Sequence, residues 1–327
     1  MKTLHNLNQR HATRQPILMA IGFFDGVHRG HQNLIRRAVR ASRQGLGETW
    51  IMTFDPHPRK VLSPASAPAL LTSTSHKLRI LESLGATGCV VTPFTTAYAR
   101  QEPETFIASV IRSFPTLSRI IIGQNWTFGR HGRGNATLLK MLAGNYGFQV
   151  VTIPPVCWRG QPVSSTRIRS AVAGGRLADA ARMLGRPFSI LGTVIPGHQI
   201  GRTLGIPTAN LDPHNEVHPP PGVYAVMAII NRKYYPGVVN LGTQPTIGRR
   251  RPKTPILELH VLDLRRNLYG KDIEIIFLKR LRAERKFSSR EALRAQIIRD
   301  INRARPWLRH NAIPRRIGAA TAPIIKG

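Results

Sequence analysis

Acidic residues are scarce in this 327-residue chain: 16 Asp and Glu stand against 48 Lys and Arg, a formal charge of +32. Cysteine is rarer still. Cys89 and Cys157 lie far apart, in no metal-binding or redox spacing. That excludes a disulfide scaffold and a cysteine-rich zinc site, fits a reducing cytoplasm, and leaves both thiols expected as small buried residues. Aromatics make up only 6% and do not interleave with the basic residues, which counts against a dedicated nucleic-acid surface. No apolar run approaches the roughly 20 residues that cross a bilayer. The opening MKTLHNLNQRHATRQP has charge but no apolar centre, so it does not read as a secretory signal. A cytoplasmic protein with no membrane segment is expected, its oligomeric state left open.

Hydrophobic residues are 42% of the chain, enough for a core, and the length suits about two domains of roughly 150 residues each. The arginines run from RR at 36–37 through RRR at 249–251 to RR at 315–316. Such a dispersed field favours polyphosphate substrates generally, with nucleic acid held only nonspecifically by charge.

The first half alternates strand-like runs (PILMAIG, TWIMTF, GCVVTPF, RIIIG, FQVVTIPPV) with helical stretches (GHQNLIRRAVRASRQGLG, HKLRILESLG, PETFIASVIRSF, NATLLKMLAGNYG). Repeated β–α units predict a parallel, Rossmann-like α/β sheet with ligands beyond the carboxyl ends of its strands. SSTRIRSAVAGGRLADAARMLG reads as a polar cap and one helix ending at Gly185. Arg186–Pro187 then marks the expected domain boundary. Beyond it, FSILGTVI, GVYAVMAII, KYYPGVVNLG, ILELHVLD and IEIIFLKRL are short strands between Gly/Pro turns, the pattern of an antiparallel β-barrel. SSREALRAQIIRDINRARPWL adds a C-terminal helix capped by Ser288 or Ser289. The expected domains are 1–185 and 186–312, with 313–327 a basic tail expected to be disordered.

Two stretches carry chemistry. GFFDGVHRGH, 22–31, follows the first strong strand. Gly22 and Gly30 let the backbone approach a ligand, the helix that begins there offers unpaired N–H groups to phosphate, and His28 and His31 can donate to the same oxygens. Two surface histidines, or two zinc ligands lacking the rest of their set, are the alternatives. Asp25 reads as a turn or cap residue, with direct ligand contact as the alternative. GHQIGRTLGIPTANL, 197–211, spaces Gly197, Gly201 and Gly205 over nine residues, as suits a loop closing on phosphates beside Arg202. Thr208 and Asn210 offer oxygen ligands of the kind Mg²⁺ takes when substrate phosphates supply the rest. By itself, PTAN is an ordinary turn.

GFFDGVHRGH resembles the first signature of the HxGH nucleotidylyltransferases, and SSTRIR at 164–169 the second. TFDPHP at 53–58 and IIIGQNWTFG at 120–129 narrow the likeness to the adenylyltransferase module of bacterial bifunctional riboflavin kinase/FAD synthetases. GHQIGRTLGIPTANL, PPGVYAV, VVNLGTQPTIG, LELHVLDL and LYGKDIEIIFLKRLRAERKF resemble its flavokinase module. The likeness covers roughly residues 15–309. It implies an enzyme that phosphorylates riboflavin with ATP to FMN, then adenylylates FMN with a second ATP to FAD and pyrophosphate, with Mg²⁺ as counter-ion. It further implies that His28, His31, Ser165, Thr166 and Arg169 hold the reacting phosphates and that Asn125 lies at the flavin pocket. In the second module, Glu258 is the catalytic carboxylate, and Asn240, Arg282 and Phe287 hold flavin or nucleotide.

The chain departs from that pattern, and lost carboxylates recur among the departures. Asn125 and Asn135 stand where Asp is common, Gly132 where Arg is expected, His76 where Glu is usual, and Thr87 and Thr95 where Asp is usual. Gln244 replaces an Arg and Ala283 a Pro. Two other readings follow: a riboflavin kinase whose adenylyltransferase half is impaired, and a basic nucleic-acid-binding protein derived from this fold.

Overall fold

In the computed structural model, residues 1–45, 47–197, 204–243, 255–264 and 266–310 are described. By packing they fall into two units. One comprises Met1–Ala69 and Thr74–Ser164; the other comprises Leu70–Ser73 and the chain from Ser165 on.

The first unit is built on strands β1 (Lys2–Leu4), β2 (Ile17–Ile21), β3 (Glu48–Asp55), β4 (Gly88–Pro93), β5 (Leu117–Gly123) and β6 (Gln149–Ile153). They form one parallel sheet in the order β1-β4-β3-β2-β5-β6. Every residue of β2 is buried. Ile17, Met19 and Ile21 enter the core on one face, Leu18 and Ala20 the core on the other, as expected of a central strand with helices on both sides. The long crossover helices are α1 (Arg29–Gln44), α3 (Thr74–Ser83), α5 (Pro103–Ser113) and α6 (Ala136–Tyr146). Two short helices, α2 (Pro58–Leu62) and α4 (Thr96–Ala99), lie between them. A two-stranded hairpin, β7 (Cys157–Trp158) and β8 (Gln161–Pro162), turns through Arg159 and Gly160, both at positive φ.

In the second unit, β9 (Ser189–Ile195), β10 (Ala209–Pro213), β11 (Gly222–Ile230), β12 (Lys233–Thr243), β13 (Pro255–Val261) and β14 (Asp272–Ala283) close a barrel in the order β10-β13-β12-β11-β14-β9. All the pairings are antiparallel. Helices α7 (Ser165–Ala173) and α8 (Leu177–Leu184) precede it, and α9 (Arg290–His310) follows. Ser289 caps α9 by accepting a hydrogen bond from Ala292 N–H at 3.1 Å. Ile301, Ala304 and Leu308 pack that helix on Val223, Ala225 and Leu281 of the barrel.

The fold class is the expected one. Two local expectations, one helix over 164–185 and a buried Cys157, need correction, and two further features emerge. The stretch from 164 to 185 is two helices: Gly175, at φ +73°, ends α7, with Arg176 N–H bonded to Ala171 O and Gly175 N–H to Val172 O, a glycine stop. The N-terminal segment supplies an edge strand, β1, which three residues with one buried Leu4 do not announce. PTAN is not merely a turn, since Ala209 opens β10. Cys157 is exposed, whereas Cys89 is buried, its thiol pushed up to about 12 chiefly by burial. Packing divides the chain between Ser164 and Ser165, ahead of the Arg186–Pro187 break. Gly201, Arg202, Gln244 and the tail 313–327 lie outside the described residues.

Candidate active sites

In the first unit the strand order reverses at β2. The connection from β2 runs to β3 on one side, while β5 lies on the other. Beyond the carboxyl ends of β2 and β5 begin GFFDGVHRGH and QNWTFG, the crevice where doubly wound sheets bind nucleotides. Gly22 N–H continues the ladder to Met52 O at 3.1 Å. A Cβ at Gly22 would sit 3.0 Å from the Phe24 ring, so glycine lets that ring fold over the strand end. The chain then turns through Phe24, Gly26 and Val27, all at positive φ. For Val27, β-branched, this is a costly conformation, and its neighbours hold it: the buried Gln32 amide donates to Val27 O at 2.8 Å.

His28 is the N-cap of α1, and its Nδ1 faces His31 N–H at 3.5 Å. As acceptor there, Nδ1 leaves the ring proton on Nε2. The two imidazoles stack with centroids 3.6 Å apart, and Phe24 meets His31 edge-on at 5.2 Å. A Cβ on Gly30 would lie 3.1 Å from His28 Cε1, which explains the glycine between them. Burial first, then the charges of His28 and Lys77, hold the His31 pKa well below the ordinary value. The ring is neutral at pH 7. Its Nδ1 is buried without a hydrogen-bond partner among the described residues, an orphaned polar atom at a helix N-terminus suited to a phosphate oxygen.

Lys77 was not foreseen. It is 2% exposed, lies 4.4 Å from the Phe23 ring centroid, and donates to Phe23 O at 3.1 Å and to Thr53 Oγ1 at 3.0 Å, while Thr53 itself donates to Phe23 O at 2.9 Å. An ammonium on α3 thus pins the start of the histidine turn to β3. Only the tertiary fold buries it; in HKLRIL it reads as a solvated helix residue. Burial lowers its pKa to about 8, against the attraction of Asp25. Below pH 8 folded and unfolded chains both carry this proton. Between about 8 and 10.5 the unfolded chain binds more protons, so stability rises with pH across that window. The shift corresponds to about 3 kcal/mol. Lys77→Met is expected to flatten that rise in denaturant midpoints measured from pH 7.5 to 10.5, and to slow FAD formation at least about tenfold by loosening the turn.

Several departures from the family pattern have local explanations. Asn135 caps α6, accepting hydrogen bonds from Thr137 and Leu138 N–H at 3.0 Å each. Thr95 caps α4 through Tyr98 N–H at 3.1 Å. Asn and Thr serve such caps as Asp does. Gly132 stands at φ +67°, where a side chain would be strained. Thr87 Oγ1 accepts from Thr49 N–H at 3.2 Å, and His76 is fully buried in α3. Asn125 is exposed in the turn after β5, next to Trp126, which stacks on Phe128 at 4.7 Å. Arg133 is paired with Glu102 at 2.6 Å.

The second signature opens α7 in the second unit. Ser165 and Thr166 occupy its first two positions, and Arg169 stands a turn on, on the same face.

On the barrel the cross-strand register is decisive. Glu258 on β13 lies directly opposite Asn210 on β10 and also opposite Asn240 on β12. Asn240 in turn faces Val223, and Val223 faces Arg282. Directly opposed residues share a face, with Cβ atoms about 5 Å apart. Leu211, Leu241, Leu257 and Leu259 alternate with this row and are buried, whereas Glu258 is exposed. The row Asn210–Glu258–Asn240 therefore lies on the outer surface of the barrel.

Gly197 packs against Asn210: a Cβ there would collide with the Asn210 side-chain amide. Pro207 O accepts from His260 Nδ1 at 2.8 Å, tying the segment before Thr208 to β13. Gly197→Ala is therefore expected to displace Asn210 and cut riboflavin phosphorylation at least about tenfold, chiefly through the KM for ATP, while FAD formation from supplied FMN stays at the parent rate. Initial rates against ATP concentration test this.

Arg282 has a structural occupation. It binds the nearly buried Asp300 of α9 through Nε and a terminal nitrogen at 2.9 Å each, and Gln296 also donates to Asp300 at 2.9 Å. It flanks Phe287 together with Arg285, whose guanidinium is 4.7 Å from the ring centroid. Among the described residues no three His, Cys, Asp or Glu side chains gather as metal ligands.

A doubly wound sheet with a histidine-capped turn at its switch point, followed by a barrel bearing a carboxylate between two amides, is the architecture of a two-module nucleotide-dependent transferase. Residues 10–167 match the family model for FAD synthetase and residues 184–308 that for riboflavin kinase. The bifunctional riboflavin kinase/FMN adenylyltransferase of Escherichia coli K12 is 36% identical, over 94% of this chain and 97% of its own. The protein of the same description from Bacillus subtilis 168 is 36% identical, over 92% and 96%. A crystal structure from Streptococcus pneumoniae, described as a macrolide-efflux protein, superposes with a TM-score of 0.76 at 29% identity, covering 93% of this chain and 98% of that one. No helix among the described residues is long and apolar enough to cross a membrane. The chain belongs to the bifunctional riboflavin kinase/FMN adenylyltransferase family.

Proposed function

We propose that this chain phosphorylates riboflavin with ATP to FMN on its barrel and adenylylates FMN with a second ATP to FAD and pyrophosphate in its α/β module. The observation that carries the reading is the tandem match of both modules, in order, to one chain, with relatives at 36% identity along nearly all of it. The functional boundary falls near residue 185, and the cytoplasm is the compartment that suits such substrates.

In the kinase reaction the terminal ribityl hydroxyl attacks the γ-phosphorus of ATP. A P–O bond forms there, the bond to the bridging oxygen breaks, and ADP leaves. Glu258 takes the hydroxyl proton, and its exposed position leaves it open to substrate. Thr208 and Asn210 supply hard oxygen donors one strand away, a set that fits Mg²⁺. When bound, the metal neutralises charge on the ATP phosphates. By the family likeness Gly197, Gly201 and Arg202 are assigned to those phosphates, and Asn240 and Phe287 to the flavin. Arg282 acts by anchoring α9 beside them.

In the second reaction an FMN phosphate oxygen attacks the α-phosphorus of ATP and pyrophosphate leaves. The nucleophile is already ionised, so the module aligns and stabilises charge and needs no strong base. His28 and His31 donate to the reacting phosphates at the α1 N-terminus, where Gly22 and Gly30 let them approach. Ser165, Thr166 and Arg169 hold the triphosphate, and Asn125 borders the flavin. The caps provided by Asn135 and Thr95 and the left-handed turn at Gly132 favour a working adenylyltransferase over an impaired one.

Chromatography of products from riboflavin and excess ATP tests the whole reading: FMN followed by FAD with stoichiometric pyrophosphate is expected. FMN alone would leave only the kinase; neither product would sink the proposal.

A further inference from the structure

The polar side of α1 is unlike the rest of the first unit. Arg29, Arg36, Arg37 and Arg40 lie along one side of that helix and, with Arg119 of β5, line an open groove of about 750 Å³. None of the five has a carboxylate partner among the described residues, although other arginines of this unit do. Arg119 gives one terminal nitrogen to Gln149 at 2.8 Å, but its Nε is buried without a partner. Partial burial first, and then the neighbouring Arg29, lower the pKa of Arg36.

Ile121, Val151 and Val156 form an apolar floor to the groove. It offers no acceptor to these guanidinium groups, of which the four on α1 stand exposed along the rim and open to an anion. The stripe from Arg29 to Gln44 spans about 22 Å of helix. No aromatic side chain lines it among the described residues, so a base has nothing to stack on. The ligand that suits these facts is linear, carries a charge at every unit, and needs only guanidinium forks.

We propose that this groove, which starts at Arg29 beside the histidine turn and runs away from it along α1, is a further anion site that takes a condensed phosphate chain: inorganic polyphosphate, or the triphosphate of a nucleotide. Five unneutralised guanidiniums repel one another in the free protein, and a phosphate chain relieves that repulsion. Binding therefore raises thermal stability.

The test uses the full chain, long-chain inorganic polyphosphate, ATP and duplex RNA at equal phosphate concentration, with affinity measured across a KCl series. Polyphosphate is expected to bind the parent and the His28→Ala/His31→Ala protein equally. In Arg36→Gln/Arg37→Gln/Arg40→Gln its affinity falls at least about tenfold and the log–log salt slope drops by about three, one per lost contact. FMN and FAD formation persist in that variant and report that it is folded. Arg36→Lys/Arg37→Lys/Arg40→Lys keeps the slope. Weaker ATP binding lost with the same three arginines identifies the nucleotide as a source; ATP binding lost only with the histidines leaves polyphosphate as the source. Unchanged polyphosphate affinity and slope in the glutamine variant, or polyphosphate binding abolished by the histidine changes, overturns the proposal. So does duplex RNA that binds this groove more tightly than polyphosphate.

Discussion

His28→Ala/His31→Ala forms FMN from riboflavin at the parent rate and loses FAD formation by at least about 10³-fold, since removal of a single preorganised donor at a charged transition state already costs 10²–10³. The two rings act as a unit: they stack at 3.6 Å over Gly30, and His28 caps the helix that carries His31. Separate assays of FMN formation from riboflavin and FAD formation from supplied FMN read the split. Loss of both activities in a protein that still melts cooperatively would contradict two independent modules. The pH dependence has a defined sign. Burial, the largest influence, keeps the His31 pKa well below 6.5, so the folded chain resists a proton that the unfolded chain accepts. Stability from this group is complete above about pH 6.5 and is lost as pH falls below it. FAD formation accordingly shows no change from titration of His31 between pH 7 and 8.

Glu258→Gln reverses the pattern. Riboflavin phosphorylation falls by about 10²–10⁴-fold, the usual contribution of a positioned proton acceptor, and FAD formation from supplied FMN is retained. Glutamine keeps size and polarity at an exposed position on β13 and removes only the ability to take a proton. Because Glu258 stands between Asn210 and Asn240, KM for ATP should change little while kcat carries the loss. A large rise in KM with unchanged kcat would make Glu258 a binding residue and overturn the assignment. Gly197→Ala, acting on Asn210, is expected to give the opposite split, so the pair separates proton transfer from phosphate positioning.

Of the two glycine-rich motifs, the first sets much of its local geometry for itself. GFFDGVHRGH contains its own turn, its own cap and the glycine that accommodates the His28 ring. The β–α alternation and the run of short strands after residue 187 were legible from hydrophobic periodicity, which depends on near neighbours. The end of α7 was misread because SSTRIRSAVAGGRLADAARMLG keeps an apolar period straight through Gly174–Gly175; the stop depends on a left-handed residue that periodicity does not register. β1 was missed because an edge strand of three residues is defined by its partner β4.

What the sequence determined by itself was the order of elements, the two glycine-rich motifs and their assignment to an α/β module and a barrel: local pattern and turn chemistry suffice for these. The tertiary structure alone decided that Glu258 shares a row with Asn210 and Asn240, that Gly197 covers Asn210, that Lys77 is buried under the histidine turn, and that arginines of α1 meet Arg119 over an apolar floor. Each of these depends on register or packing between residues that are not sequence neighbours, from 13 positions apart for Gly197 and Asn210 to 90 for Arg29 and Arg119. Those distances are set by the closing of sheet and barrel, which no local periodicity encodes.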